Sequence, residues 1–329
     1  MKSFTYYKAA SVPQVISLLT KHQEKAAILA GGSDLFGIMK DRLEGPKFKM
    51  PQHLIDIKQI KNLSYIKDQK GGLKIGATTT LSEIAAADSI RERYPLLAQA
   101  AGLVGVTQIR NVGTLAGNLC QRPRCWYFRR NLFSDCLRKG GTSCYALDGE
   151  NQYHAITGSR GCCMVYPSDM APALMALNAN VEIATAKSHK VVPLEKFYVE
   201  PGKNVMRENI LSPQEMMVAV DIPKQDRANK GIYIKFKERQ SFDFAVVSVA
   251  VNLTLKSNLI HDSRVVFGGI APFPLRSVQT EATLKGKEVK DCITLACKTA
   301  GEGMHPLSKN AYKVEALRGA LEEALSQLA

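Results

Sequence analysis

Six of the eight cysteines lie between Cys120 and Cys163, a window of 44 residues that interrupts an otherwise regular succession of strand-like and helix-like segments. The spacing is Cys120-x4-Cys125-x10-Cys136-x7-Cys144-x17-Cys162-Cys163. From Arg122 to Gly161 the chain carries Gly140, Gly141, Gly149 and Gly158 among serines and asparagines, with no sustained apolar period, so it reads as one long loop insertion. A loop of that length usually has a function. Structural zinc sites take ligands in pairs two to four residues apart, and no C-x-x-C occurs here, so zinc fits poorly. An iron-sulfur centre also needs four thiolates but accepts them from an irregular, wrapping loop. Arg122, Arg124, Arg129, Arg130, Arg138, Lys139 and Arg160 outnumber the acidic Asp135, Asp148 and Glu150. That excess suits a thiolate-bound, anionic centre and would raise its reduction potential. Disulfide frameworks belong to small secreted domains, and Met1 to Thr5 shows neither a secretory n-region nor an apolar h-region. For Cys292 and Cys297, in a helical-looking segment, buried inert thiols are the preferred reading.

The 329 residues suffice for two or three domains with their own cores. A hydrophobic share of 45% and a charged share of 22% are those of an ordinary globular protein, and no apolar run approaches the roughly 18 residues of a membrane span. The formal net charge of +14 invites a nucleic-acid reading. Lysine and arginine are scattered, however, with no basic stripe interleaved with stacking aromatics, so a dedicated nucleic-acid binder is not expected. A basic surface that docks onto acidic partner subunits accounts for the charge.

Residues 1–59 read as a small α/β unit. Val12 to His22 is helical, Lys25 to Ala30 is a short apolar strand running into Gly31-Gly32-Ser33-Asp34, and His53 to Ile57 is the next strand. Strand, glycine turn and helix in that order can cradle a phosphate, although two glycines alone also make a tight turn with no ligand. Residues 60–225 form a second unit. It has a strand at Gly72 to Gly76, Thr78-Thr-Thr80 at its end, and a second small-residue turn with Thr114, Gly117 and Asn118 directly before the cysteines. Asp169 stands in the first turn of a helix, where a carboxylate is commonplace. Residues 226–329 alternate strands and close with two helices, an α+β pattern.

Five segments stand in the order and spacing of one family: Ala30-Gly-Gly-Ser-Asp-Leu35, Ile75-Gly-Ala-Thr-Thr-Thr80, Arg110-Asn-Val-Gly-Thr-Leu-Ala-Gly-Asn118, Tyr166-Pro-Ser-Asp169 and Gly268-Gly-Ile-Ala-Pro272. The chain resembles the FAD-binding subunits of molybdenum hydroxylases, the group of xanthine dehydrogenase, carbon monoxide dehydrogenase and aldehyde oxidase, over essentially its whole length. The resemblance implies an α+β fold: a PCMH-type FAD-binding domain of two subdomains, the iron-sulfur loop inserted at about 120–163, and a C-terminal domain like that of the CO dehydrogenase flavoprotein. It implies FAD contacts at Leu29, Ala30, Gly31, Gly32, Ser33, Asp34, Leu35, Thr114, Gly117, Asn118 and Asp169, and no catalytic residue acting on the organic substrate. The insertion is similar to that of the two branches carrying an extra 4Fe-4S cluster, the periplasmic-type aldehyde oxidase flavoprotein and the beta subunit of 4-hydroxybenzoyl-CoA reductase, and closer to the first. By that resemblance Cys125, Cys136, Cys144 and Cys162 are the cluster ligands, with Cys163 an adjacent alternative to Cys162, Cys120 in the tail of the flavin turn with its role open, and His154 packing in the loop.

The implied function is electron transfer between partner 2Fe-2S clusters and an external acceptor through FAD, beside a molybdenum-cofactor large subunit and a 2Fe-2S small subunit. The reductase complex with inward electron flow is the alternative within enzymes, and a zinc-stabilised interaction module the alternative outside them. Cytoplasm is the expected compartment, with the periplasm open through co-export with a signal-bearing partner.

Overall fold

The computed structural model describes residues 1–226 and 228–329, which build three sheets. The first 56 residues run β1 (Thr5–Lys8), α1 (Val12–His22), β2 (Ala26–Leu29), α2 (Leu35–Lys40) and β3 (His53–Asp56). β3 lies between β1 and β2, parallel to both, because each crossover contains a helix long enough to return the chain to the same end of the sheet. Ser11 caps α1, Pro13 sits in its first turn, and Val15, Ile16 and Leu19 form the buried stripe.

The second unit supplies β4 (Ile66–Gln69), β5 (Gly72–Gly76), α3 (Leu81–Ala86), α4 (Asp88–Arg93), α5 (Pro95–Gly102), α6 (Thr107–Val112), α7 (Leu115–Leu119), α8 (Met170–Ala176), β6 (Asn180–Ala184), β7 (His189–Pro193) and β8 (Met216–Pro223). Its antiparallel sheet has the order β4-β5-β8-β6-β7, with α3, α5, α7 and α8 buried against it. The central strand, β8, is a run of apolar residues without alternation, as befits a strand covered on both faces, and periodicity did not single it out. Thr114, Gly117 and Asn118 are not an open turn: Thr114 caps the short α7 through its Oγ1, 3.2 Å from Gly117 N.

The third unit is β9 (Asn229–Phe236), β10 (Val247–Lys256), β11 (Leu259–Gly268), β12 (Leu275–Arg276), α9 (Val278–Leu284), α10 (Val289–Ala300) and α11 (Tyr312–Leu328). Its sheet is antiparallel in the order β12-β11-β10-β9. Cys292 is fully buried in the core between α10, α11 and the sheet, in keeping with an inert thiol. Among the described residues no helix is long and apolar enough to cross a membrane.

Between α7 and α8 the chain makes only one short 3-10 turn, Leu137–Lys139, yet much of it is buried: Phe128, Arg138, Lys139, Asn151, Ile156 and Cys163 are all at most 1% exposed. Buried irregular backbone needs partners, and the third unit provides them. Ile156 N donates to Ile270 O at 2.9 Å, and Asn310 Nδ2 reaches the carbonyls of Asn151, His154 and Ala155. Lys313, wholly buried on α11, donates through Nζ to Gly269 O at 2.5 Å and His154 O at 3.0 Å. Burial pushes this amine down to about 7, whereas the carbonyl acceptors favour its charged form. Replacing Lys313 by methionine, which fills the space but donates nothing, is expected to destabilise the protein by about 2–4 kcal/mol, read as a lower thermal midpoint. An unchanged midpoint would show that these carbonyls do not depend on it.

Candidate cofactor cleft and cysteine site

The two glycine-bearing turns face each other across one cleft of about 440 Å³, within the range of roughly 300–1,000 Å³ typical of small-molecule sites. Ala30, Gly31, Gly32, Ser33, Asp34 and Leu35 line one side, with Thr114, Gly117, Asn118 and Asp169 on the other. Leu29 is the exception, 3% exposed in the core beneath α2. Contact between the turns is tight: a Cβ on Gly31 would lie 2.0 Å from Val112 O and 3.0 Å from Gly113 Cα. Gly32 has a φ of 73°, which L side chains rarely adopt. Among the described residues the amides of Gly32, Ser33, Asp34 and Leu35 meet no protein acceptor. Free successive amides on one turn can receive an anionic phosphate. The opposite turn has no such surplus, since Leu115 N donates to Thr79 O and Ala116 N to Ala77 O, both at 3.0 Å. The threonine run after β5 thus fixes the second turn in place.

Two carboxylates on the cleft wall are engaged in ways their sequence positions do not disclose. Asp169 precedes α8 but caps nothing; the cap is Ser168, whose Oγ accepts from Ala171 N at 3.0 Å and donates to Asn118 Oδ1 at 2.5 Å. Asp169 instead accepts from Tyr233 Oη at 2.7 Å and Lys235 Nζ at 2.8 Å, both on β9. It therefore joins the second unit to the third. Asp34 accepts from Arg129 at 2.5 Å, Arg124 at 3.0 Å and Arg122 N at 2.9 Å. Through this residue the cysteine loop is tied to the first glycine turn. Lys235, Arg239, Phe242 and Phe244 complete the wall from the third unit. They belong to no motif, and only the alternation of β9 hinted at Lys235.

All eight cysteines are free. Cys125, Cys136, Cys144 and Cys162 line one small cavity, with Tyr127, Phe128, Leu137 and Arg138 around them. Cys163 does not line it. Cys120 lines the large cleft instead. Among the described residues no three cysteine, histidine or carboxylate side chains converge around one point as a single ion's ligands do. A multi-iron cluster imposes no such convergence, because its thiolates bind separate irons. Burial pushes the Cys125 thiol up to about 12, so in this dry setting a bound metal cation is what would release its proton. The four residues therefore fit an iron-sulfur centre in the chemistry of their donors, around a cavity of about 10 Å³. His154 Nε2 lies 3.2 Å from Cys125 Sγ, and burial lowers the imidazole to about 4, leaving it neutral.

The basic residues of the loop do not gather round this cavity as a group. Arg124 and Arg129 pair with Asp34, Lys139 with the carbonyls of Arg130 and Phe133, and Arg160 with Glu200 at the surface. Arg138 alone donates to a candidate ligand, Cys162. A second cavity, about 340 Å³, separates the cysteine site from the cleft; it is walled by Cys125, Trp126 and His154 and shares Arg124, Asp169 and Phe244 with the cleft.

Comparison with known proteins agrees with this geometry. Residues 2–225 match the FAD binding domain in molybdopterin dehydrogenase, and residues 232–328 the CO dehydrogenase flavoprotein C-terminal domain. The chain is 34% identical to the aldehyde oxidoreductase FAD-binding subunit PaoB of Escherichia coli, over 99% of this chain and 98% of that one. It is 26% identical to the carbon monoxide dehydrogenase medium chain of Hydrogenophaga pseudoflava, over 90% and 85%. The solved carbon monoxide dehydrogenase from that organism shares the fold at a TM-score of 0.77 and 24% identity, covering 99% of this chain and 96% of that one. Quinoline 2-oxidoreductase from Pseudomonas putida 86 does so at 0.76 and 21%, covering 99% and 98%. With both halves matched and the two turns facing one cleft, the chain belongs to the FAD-binding medium subunits of the molybdenum hydroxylases, the flavoprotein components of molybdenum-containing oxidoreductases.

Proposed function

We propose that this chain carries FAD and a 4Fe-4S cluster and transfers electrons between 2Fe-2S clusters of a partner subunit and an external acceptor, within an aldehyde-oxidising complex. A molybdenum-cofactor large subunit and a 2Fe-2S small subunit are the proposed partners. The observation that carries the reading is the enclosure of Cys125, Cys136, Cys144 and Cys162 in one cavity, a single cavity away from the flavin cleft. The likeness to the aldehyde oxidoreductase subunit over the whole chain favours aldehydes as substrates of the complex.

When bound, FAD accepts electrons singly and gives them up in pairs, and an iron-sulfur centre stores or relays one at a time. The residues of the chain bind and enclose these groups. Gly32 to Leu35 present amides to the pyrophosphate, Thr114 and Asn118 hold the opposite turn, and Asp169 is the candidate polar contact to the ribose region. Asp169 does this with its carboxylate already oriented by Tyr233 and Lys235. The proposed units, residues 1–59, 60–225 and 226–329, each contribute wall to the cleft.

Metal and flavin quantitation of the purified chain tests the reading. About four irons per flavin are expected, with acid-labile sulfide. Zinc without iron, and no yellow chromophore, would instead favour a zinc-stabilised interaction module.

A further inference from the structure

One ionised side chain lines the cysteine cavity, Arg138. Its guanidinium is 1% exposed, with Nε 3.3 Å from Cys162 Sγ and Nη1 2.7 Å from Glu208 Oε1. Glu208 is itself buried, and its other oxygen lies 3.1 Å from Arg122 Nε. Arg138 Nη2 is buried without a protein acceptor among the described residues. The neighbouring backbone holds the arginine in register: Leu137–Lys139 forms a 3-10 turn that ends at Gly140 with a φ of 83°, placing Arg138 two residues after Cys136 and against Cys162. Of the seven basic residues in the loop, it is the one whose donor meets a candidate ligand sulfur.

We propose that Arg138 is a positioning residue for the iron-sulfur centre, holding the Cys162 sulfur and setting the centre's reduction potential against the opposing charge of Glu208. The inference rests on the proposed cysteine-bound cluster and adds to it the group that tunes it. Reduction brings one electron onto the centre and makes the site more negative. A hydrogen bond to the sulfur and an adjacent cation both favour that state, and water-free surroundings screen neither. Removing Arg138 also leaves Glu208 without its closest partner, which disfavours reduction further. Removing the charge of Glu208 acts in the opposite direction.

The test is a dithionite titration of the full chain, purified anaerobically with its iron and followed by electron paramagnetic resonance. Arg138→Gln is expected to shift the one-electron equilibrium at least tenfold against reduction, about 59 mV for one electron. Glu208→Gln should shift it in favour of reduction, and Arg138→Lys, which keeps the charge but loses the fork, should fall between wild type and Arg138→Gln. Either glutamine variant retaining full iron at the wild-type potential would overturn the proposal. If Arg138→Gln loses its iron, the direction of shift in Glu208→Gln decides. A wild-type chain that binds no iron would refute the cluster itself, before any variant is compared.

Discussion

Replacing Gly31 by alanine is expected to empty the flavin site while leaving the chain folded. The added Cβ would stand 2.0 Å from the Val112 carbonyl oxygen and 2.7 Å from its carbon, where real Cβ contacts essentially never fall below 3.0 Å. Those neighbours are backbone, so no side chain can rotate away. The two turns must separate by about 1 Å, and the amides of Gly32 to Leu35 would then miss the pyrophosphate they are proposed to bind. Flavin affinity should fall at least tenfold, about 1.4 kcal/mol, measured by fluorescence titration of FAD into the flavin-free protein. Gly37→Ala is the matched control. It lies on α2, six residues further along, where an added Cβ meets nothing within 4 Å, and alanine there should stabilise the helix by roughly 0.5–1 kcal/mol. Equal flavin affinity in wild type and Gly31→Ala would show that the cleft does not bind FAD through this turn.

The second large effect concerns iron. Cys144→Ser should abolish the cluster, since a four-thiolate site loses a quarter of its ligands and serine is a poor soft donor. Iron content and the broad visible absorption of the centre should disappear, while flavin remains bound because neither glycine turn includes Cys144. Cys297→Ser, remote on α10, is the control and should keep its iron. Comparing Cys162→Ser with Cys163→Ser separates the adjacent pair, and the cavity lining assigns the loss to Cys162. A Cys144→Ser protein with full iron would sink the ligand assignment.

The glycine turns were legible because their requirement is local: a positive φ and a close backbone approach leave glycine as the residue that fits. The spacing of the cysteines argued against zinc, but the four that share one cavity were picked out through the family resemblance and not by spacing alone. What the sequence did not disclose is how charge is distributed. Asp34 and Arg129 are 95 residues apart, Asp169 and Lys235 are 66, and Arg138 and Glu208 are 70. No periodicity links such partners, so the seven basic residues read as one positive field around the cluster, whereas the fold gives most of them to carboxylates and carbonyls. β8 escaped for the converse reason, since a strand buried on both faces loses the alternation by which strands are recognised.

The position of Asp34 has a thermodynamic consequence. Its backbone belongs to the flavin turn and its carboxylate is fastened by Arg124 and Arg129 of the cysteine loop. Ordering the loop therefore shapes the turn, and shaping the turn orders the loop. In the proposed function, binding equilibria joined in this way are reciprocal: whatever factor a bound cluster contributed to flavin affinity, flavin would contribute equally to retention of the cluster. If the loop and the turn stabilise each other in the proposed FAD- and cluster-bearing subunit, half-loaded chains are rarer than independent binding would give.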